Sequence, residues 1–219
     1  MKPAPPQSAR EDADPFRVLV ATMISLRTKD AVTAPAAERL LGAAPDPRAL
    51  ASLSAARIAR LIYPAGFYKT KAAHLRETAR ILVEKHGSRV PRAMEDLLAL
   101  PGVGRKTANL VRNLGYGLPG ICVDTHVHRV SNRLGWVSTD NPAQTEHALE
   151  KVLPRKYWIR INELLVRFGQ AVCTPISPWC SQCPFGGTAP KGSALKGRAA
   201  DTGNHSRVRC PMVGVGRSR

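Results

Sequence analysis

The sequence predicts an all-α fold. Apolar residues recur every three or four positions in almost every segment, and this spacing places them on one face of a helix. An example is the first such face, formed by Phe16, Leu19, Val20 and Met23. No two segments alternate apolar and polar residues in the way that paired strands do. Hydrophobic residues make up 43% of the 219 residues, enough for a packed core, so we expect a globular helical protein.

The remaining helices are predicted in order from the same periodicity and from the breaks between them. Similar apolar faces follow at Leu75, Ala79 and Leu82, at Val127, Val130 and Leu134, and at Trp158, Ile161, Leu165 and Phe168. Segments with Pro or Gly separate the helices at 45–47, 63–67, 101–104 and 116–120 and at Pro154. About nine or ten helices result. Residues 1–14 are predicted to be disordered, and residues 184–209, rich in Gly, Ala and Ser, to form a mobile loop.

The charge of the chain indicates a polyanionic partner. The formal net charge is +17, and residues 191–219 contribute +6 of it, so +11 lies on the predicted folded part. Because Lys and Arg neutralise phosphates and release counterions, nucleic acid is the first expected partner and an anionic membrane surface the second. No window reaches the roughly 18 uncharged apolar residues of a membrane span, and no signal peptide is evident. We expect a cytoplasmic protein, nucleoid-associated if bacterial.

Three of the five cysteines follow a metal-ligand spacing. Cys173, Cys180 and Cys183 form a C-x6-C-x2-C pattern, and no fourth cysteine follows closely. An odd number of cysteines in a reducing compartment favours metal binding over disulfides. Cys122 lies between Ile121 and Val123 and is predicted to be a buried apolar residue.

The stretch AMEDLLALPGVGRKTANLVRNLGYG predicts a hairpin of two helices. The first helix ends near Leu100, and the second runs from about Gly104 to Leu114, closed by Gly115. The glycines on both sides of Val103 let a phosphate approach the backbone at the start of the second helix. Such a turn can bind a DNA phosphate without reading sequence. The alternatives are a plain helix–helix turn and a nucleotide loop, although no strand precedes it and the adjacent Gly-Lys of a Walker A loop is missing.

LPGVGRKTANLV followed by VDTH resembles the helix-hairpin-helix and Gly-Pro-rich/Asp motif of the endonuclease III family of DNA glycosylases. LIYPAGFYKTKAAHL, VDTHVHRVSNRLGW and LLVRFGQAVC extend the resemblance over roughly residues 15–184. It implies two interlocked helical domains with a cleft between them. One is a six-helix barrel with the hairpin at 25–117, and the other is an iron–sulfur helical domain built from both termini, 15–24 plus 118–219. It also implies a monomer that acts on damaged double-stranded DNA.

The resemblance gives roles to Lys106 and Asp124. Lys106 lies in the first turn of the second hairpin helix, where the helix dipole and Arg105 disfavour the ammonium form and favour a nucleophilic amine. In the family this lysine attacks C1′ of the damaged nucleotide, displaces the base, and forms a Schiff base that permits β-elimination. Asp124 precedes an amphipathic helix and is expected to cap it. In the family this aspartate also accepts the lysine proton or stabilises the cationic sugar.

The resemblance also indicates DNA contacts. An extruded nucleotide leaves a gap in the base stack, and the side chains expected to fill it are Arg27, Phe67 and His126. Many relatives have glutamine in place of Arg27, and Phe67 could equally be a core or cap residue. His126 and His128 form an H-x-H that is not expected to bind metal, because positions i and i+2 of a helix do not face each other. The expected phosphate contacts, with a solvated face as the alternative, are Gly102, Val103, Gly104, Arg105, Lys29, Lys69 and Lys71.

For the cysteines, the resemblance implies a [4Fe–4S] cluster on four thiolates. The fourth ligand normally comes five residues after the third, but Ala189 stands there. The next cysteine is Cys210, which implies an insertion of about 21 residues within 184–209, and closing a longer loop costs little entropy. The alternatives are a zinc ion on the same four thiolates and a site without metal.

The predicted function is therefore a bifunctional DNA glycosylase and AP lyase acting on oxidised pyrimidines such as thymine glycol. Within this class the alternatives are a mismatched thymine or uracil, a pyrimidine dimer, or adenine opposite damaged guanine. From a different class, the alternative is a non-catalytic helix-hairpin-helix DNA-binding module with a structural metal.

Overall fold

A computed structural model describes residues 13–180 and 183–185, and in these ranges it contains helices and no strand. The predicted all-α class is confirmed. Within the same ranges, no helix is long and apolar enough to cross a membrane. A short 3-10 helix, Arg155–Tyr157, precedes the last of the ten α-helices found in the described ranges. The α-helices are α1 Pro15–Ser25, α2 Asp30–Ala43, α3 Pro47–Ser52, α4 Ala55–Ile62, α5 Tyr68–Lys85, α6 Met94–Leu98, α7 Arg105–Tyr116, α8 Thr125–Arg133, α9 Pro142–Val152 and α10 Trp158–Ala171.

The chain divides into two compact units, Met1–Gly120 and Ile121–Arg219. The first contains α1 to α7 and the second α8 to α10. In the first unit, α1 packs against α7, α2 and α5. The predicted two-domain assignment, which groups 15–24 with 118–219, stays a prediction. Of the predicted disordered segment 1–14, residues 1–12 lie outside the described residues, as does all of the predicted loop beyond residue 185. The prediction is wrong for Asp14, which is the N-cap of α1.

Several helices begin where the sequence supplies a polar cap. A side-chain oxygen at the N-cap accepts a hydrogen bond from a backbone N–H of the first turn, which otherwise lacks an intrahelical partner. Proline follows the cap in α1, α3 and α9, where its fixed φ suits the helix and its missing N–H costs nothing. The caps of this kind in the first nine helices are Asp14, Asp46, Ser54, Asp124 and Asn141.

The core of the first unit depends on a close approach of α1 and α7. A Cβ added to Gly115 would lie 2.9 Å from the Pro15 Cα, so a larger residue would push the helices apart. The prediction that Gly115 closes the helix is wrong, because α7 continues to Tyr116 and ends at Gly117. Gly117 has a φ of 62°, and the left-handed conformation lets its N–H bond back to the Asn113 carbonyl at 3.1 Å. The preceding helix, α6, ends at Leu98, two residues before the predicted end.

The second unit has its own apolar core between α8, α9 and α10. Its buried members are Ile121, Val123, Val127, Val130, Leu149, Ile161 and Leu165. Cys122 is fully buried, and its carbonyl accepts a hydrogen bond from Asn162 Nδ2 at 3.0 Å. The prediction that Cys122 is a buried residue is confirmed.

A buried histidine makes this unit sensitive to acid. His128 of α8 has its Nδ1 2.7 Å from Thr145 Oγ1, and burial lowers its pKa below the ordinary 6.5, with the Asp140 carboxylate acting in the opposite direction. The unfolded chain therefore binds this proton more strongly than the folded chain does. The neutral ring contributes stability that is fully present above pH 6.5 and is lost as the pH falls through the lowered pKa of the folded state.

The substitution His128→Gln tests this linkage. We expect the difference in free energy of unfolding between wild type and variant, measured by urea titration, to be larger at about pH 7.5 than at about pH 5. The reason is that only the wild type loses the contribution of a neutral imidazole on acidification. Parallel pH profiles for the two proteins would contradict the assignment.

Candidate active site

The turn between α6 and α7 has the geometry of a phosphate-binding hairpin. Gly102 has a φ of 77°, and Val103 points into the core, with its N–H donating to the Leu100 carbonyl at 3.1 Å. Gly104, the N-cap of α7, is extended and exposed, and the helix has no side-chain cap. The positive end of the α7 dipole therefore lies beside a backbone that carries no bulky side chain.

Helix α5 holds this turn in place. Thr78 Oγ1 donates a hydrogen bond to the Pro101 carbonyl at 3.2 Å. A Cβ on Gly102 would lie 2.7 Å from Nδ1 of His74, so both the positive φ and the packing require glycine there. The turn is thus a fixed part of the first unit.

Lys106 is exposed at the second position of α7, directly after the hairpin turn. Arg105, at the first position, is half-buried. The structure therefore places the predicted nucleophile and the predicted phosphate contacts on one short continuous segment. Two other predicted phosphate contacts, Lys29 at the N-cap of α2 and Lys69 in the first turn of α5, are also exposed.

Asp124 is the N-cap of α8, in the second unit. Its Oδ1 accepts hydrogen bonds from the backbone N–H groups of His126 and Val127, both at 2.9 Å. The capping role predicted from the residue pattern is confirmed. The carboxylate is half-buried and held in a fixed orientation by the start of the helix.

Arg27 and Phe67 lie close together at two neighbouring corners of the first unit. Arg27 lies at the corner between α1 and α2, and Phe67 lies at the corner between α4 and α5. Both are non-glycine residues in the left-handed region, with φ values of 52° and 55°. The Arg27 guanidinium carbon lies 5.5 Å from the centre of the Phe67 ring. Phe67 is 62% exposed, which excludes the alternative that it is a core residue. An exposed aromatic side chain beside an exposed arginine is typical of a contact to bases.

The structure corrects the prediction for Lys71. Its side chain is only 8% exposed, and its ammonium donates to the carbonyls of Ile24 and Leu26 and to Thr28 Oγ1. Burial lowers the pKa of Lys71. Lys71 is not a surface contact for phosphate, because all three of its donors point into the first unit.

His126 is half-buried at the start of α8. Its Nδ1 lies 3.1 Å from Nη2 of Arg129, and its ring packs on Gly169 of α10, where a Cβ would lie 2.8 Å away. His128 is held separately against Thr145. The expectation that the two histidines do not form a metal pair and the DNA-contact role of His126 both stay predictions.

The three described cysteines of the C-x6-C-x2-C pattern lie in tight turns after α10. Cys173 N–H donates to the Phe168 carbonyl at 2.9 Å, and Cys183 N–H donates to the Cys180 carbonyl at 3.2 Å. None of the three is in a disulfide, and Cys180 is buried. Cys210, the predicted fourth ligand, lies outside the described residues.

Two arginines of α8 that the sequence analysis missed hold the start of this cysteine segment. Arg129 Nη2 donates to the Cys173 carbonyl at 3.0 Å. Arg133 donates to the Thr174 and Pro175 carbonyls at 2.7 and 2.8 Å, and its Nη1 lies 3.5 Å from Cys173 Sγ. Burial and the neighbouring Arg133 lower the pKa of Arg129. Their spacing of four residues puts both side chains on one face of α8, and this is the feature of the sequence that indicates a shared contact.

The donor chemistry of this segment fits an iron–sulfur cluster. Thiolates are the ligands that such clusters require, and Nη1 of Arg133 lies 3.5 Å from Cys173 Sγ. Over residues 13–180 and 183–185, no three His, Cys, Asp or Glu side chains already converge as a metal-binding group. The described part therefore contains three thiols in one segment, and these thiols do not converge on one point.

Known proteins resemble this chain over most of its length. Residues 20–155 match the HhH-GPD superfamily base excision DNA repair protein family. The chain is 49% identical to Endonuclease III of Thermotoga maritima over 173 residues, which cover 79% of this chain and 81% of that protein. It spans 50% and 48% of the length of two chloroplastic endonuclease III homologs of Arabidopsis thaliana, at 43% identity.

Two solved structures have a similar fold. One is a trapped endonuclease III–DNA covalent intermediate, with a TM-score of 0.74 and 35% identity over 78% of this chain and 81% of that one. The other is a thermostable thymine-DNA glycosylase, with a TM-score of 0.72 and 27% identity over 81% and 83% of the two chains. The chain belongs to the HhH-GPD superfamily of base excision DNA repair proteins and, within it, to the endonuclease III family of DNA glycosylases and AP lyases.

Proposed function

We propose that this enzyme excises oxidised pyrimidines such as thymine glycol from double-stranded DNA and then cleaves the strand through a Schiff base on Lys106. The observation that carries the proposal is the exposed Lys106 directly after the glycine turn at 102–104, because a phosphate bound at the turn would bring a sugar to the amine. The similarity to a trapped covalent DNA intermediate supports a covalent step. We further propose that the enzyme acts as a monomer in the cytoplasm, on the nucleoid if the source is bacterial.

In the proposed reaction, the Lys106 amine attacks C1′ and the bond from C1′ to the base breaks. The base leaves with the bonding electron pair and takes up a proton, while Asp124 accepts the proton that the amine loses. Opening of the sugar gives the iminium. Loss of a C2′ proton then expels the 3′ phosphate by β-elimination, and water releases Lys106.

Borohydride trapping tests this proposal. The wild-type protein is incubated with borohydride and a set of labelled duplexes that carry thymine glycol, mismatched uracil or thymine, a pyrimidine dimer, or adenine opposite an oxidised guanine. We expect a covalent complex with the thymine glycol duplex. Trapping only on the mismatched duplexes would favour the second candidate, a mismatch glycosylase, which the similarity to a thymine-DNA glycosylase supports. DNA binding without any covalent complex would indicate a non-catalytic module.

We also propose that Cys173, Cys180, Cys183 and Cys210 hold a [4Fe–4S] cluster with a mainly architectural role. The C-x6-C-x2-C spacing of the first three and the arginine contacts to Cys173 support it. When bound, the cluster would supply a covalent link between the turns after α10 and the C-terminal end of the chain. No step of the base excision depends on its redox chemistry in this proposal.

Metal analysis of cysteine variants checks the ligand set. Protein prepared without air is expected to be brown, with about four irons and four sulfides per chain. Cys180→Ser and Cys210→Ser should each lose the visible absorbance, because a thiolate ligand is removed. Cys122→Ala, at the fully buried fourth described cysteine, is the matched control and should keep it. A colourless protein with one zinc, or colour that persists in Cys210→Ser, would contradict this ligand set.

A further inference from the structure

The buried ammonium of Lys71 lies at the C-terminal end of α1. Its Nζ is 2.5 Å from the carbonyl oxygens of Ile24 and Leu26, which belong to the last turn and the C-cap of that helix. Carbonyls at a helix C-terminus lack intrahelical partners and carry the negative end of the helix dipole. A cation there stabilises the end of α1 just before the chain turns at Arg27.

The same ammonium is connected to the start of α5. Nζ lies 2.8 Å from Thr28 Oγ1, and this oxygen accepts a hydrogen bond from the Gly66 N–H at 3.1 Å. The Lys71 backbone N–H donates to the Phe67 carbonyl at 3.0 Å. Lys71 thus binds, directly or through Thr28, to both of the corners at which Arg27 and Phe67 project.

The two corners pack without space between them. A Cβ on Gly66 would lie 2.4 Å from the Arg27 carbonyl oxygen. Arg27 and Phe67 both adopt left-handed backbone conformations that non-glycine residues avoid. Such conformations persist only where surrounding contacts determine them, and they are concentrated at sites that act on ligands. Among the described contacts of these corners, the hydrogen bonds of Lys71 join the last turn of α1, the turn at Thr28 and the start of α5.

We propose that Lys71 is a positioning residue that fixes Arg27 and Phe67 as one rigid projection, which enters the base stack at the lesion. The proposal rests on the proposed function, because a glycosylase must extrude its target nucleotide and fill the gap that is left. An exposed aromatic ring with a guanidinium 5.5 Å from its centre supplies a stacking surface and hydrogen-bond donors for the unpaired opposite base.

A double-mutant cycle tests this role. Lys71→Met, Phe67→Ala and the double variant are compared for the single-turnover excision rate on a thymine glycol duplex at saturating enzyme. We expect Lys71→Met to lose about tenfold or more, because small misplacements of a positioning group cost rate steeply. In the Phe67→Ala background, Lys71→Met should cause a smaller loss than in the wild-type background, because the part of its effect that acts through Phe67 is already gone.

Two further readouts separate positioning from general stability. The fluorescence of a 2-aminopurine placed opposite the lesion should increase when the wild type binds and should increase less when Lys71→Met binds. This signal does not require base excision. Lys85→Met, on an exposed lysine in the last turn of the same helix, is the matched control and should change neither the 2-aminopurine signal nor the saturating rate. If Lys71→Met does not fold, Thr28→Val removes the hydroxyl that links Nζ to Gly66 and should show the same dependence on Phe67.

Additive losses of rate in the cycle, or an unchanged 2-aminopurine signal, would overturn the role of Lys71. A wild-type protein that excises none of the lesions would instead overturn the proposed function, and this is seen before any variant is compared. The 2-aminopurine comparison then still decides the role of Lys71 in entering the stack.

Discussion

Lys106→Gln is expected to abolish the borohydride-trapped complex and strand cleavage on both thymine glycol and abasic duplexes. Glutamine has no nucleophilic amine, so neither attack at C1′ nor formation of an imine is possible. It retains hydrogen-bond donors and is a good helix former, so α7 and the glycine turn should persist. Gel analysis of trapped and cleaved duplex, with the dissociation constant measured separately, checks the result.

The matched control is Lys85→Gln, on an exposed lysine in the last turn of α5. It makes the same chemical change within the same unit, away from the proposed site, and should leave trapping unchanged. Trapping that survives in Lys106→Gln would show that another amine reacts, and the assignment of the nucleophile would then be wrong.

Asp124→Asn is expected to lower the excision rate by about 10²- to 10⁴-fold, the range typical for removal of a general acid or base. Asparagine caps helices as well as aspartate does, so the two hydrogen bonds to the His126 and Val127 N–H groups should remain. The thermal midpoint should therefore change little while the single-turnover rate falls. This combination separates a catalytic carboxylate from a helix cap.

Asp46→Asn is the control for that substitution. Asp46 caps α3 through the Ala49 N–H at 2.9 Å, and the same exchange there should change neither the rate nor the midpoint by much. If Asp124→Asn behaves like Asp46→Asn, the aspartate is a cap alone.

The helices and the hairpin were predictable because their signals are local. Apolar periodicity and Pro or Gly breaks identified the elements, and the glycine turn and the capping aspartate lie in contiguous stretches. The end of α7 was mistaken by two residues because Gly115 and Gly117 look alike in sequence. Gly115 is required by the packing of α1, whereas Gly117 is required by its own backbone conformation.

The roles of charged side chains were harder to predict. Lys71 follows the exposed residues Lys69 and Thr70 in a basic helix, and only the positions of the Ile24 and Leu26 carbonyls, more than 40 residues away, make burial of its ammonium favourable. Arg129 and Arg133 likewise bond to carbonyls about 40 residues later in the chain. Such partners depend on tertiary structure, which a pattern along the sequence does not contain.

The anchoring of the cysteine segment by α8 bears on how the length of this protein can vary between relatives. Arg129 and Arg133 fasten the carbonyls of Cys173, Thr174 and Pro175 to a helix of the second unit. The position of Cys173 is therefore set before the chain reaches Cys183. Insertions and deletions after that point can accumulate without displacing the helix that begins at Asp124, so evolution can alter the C-terminal end independently of the proposed catalytic residues.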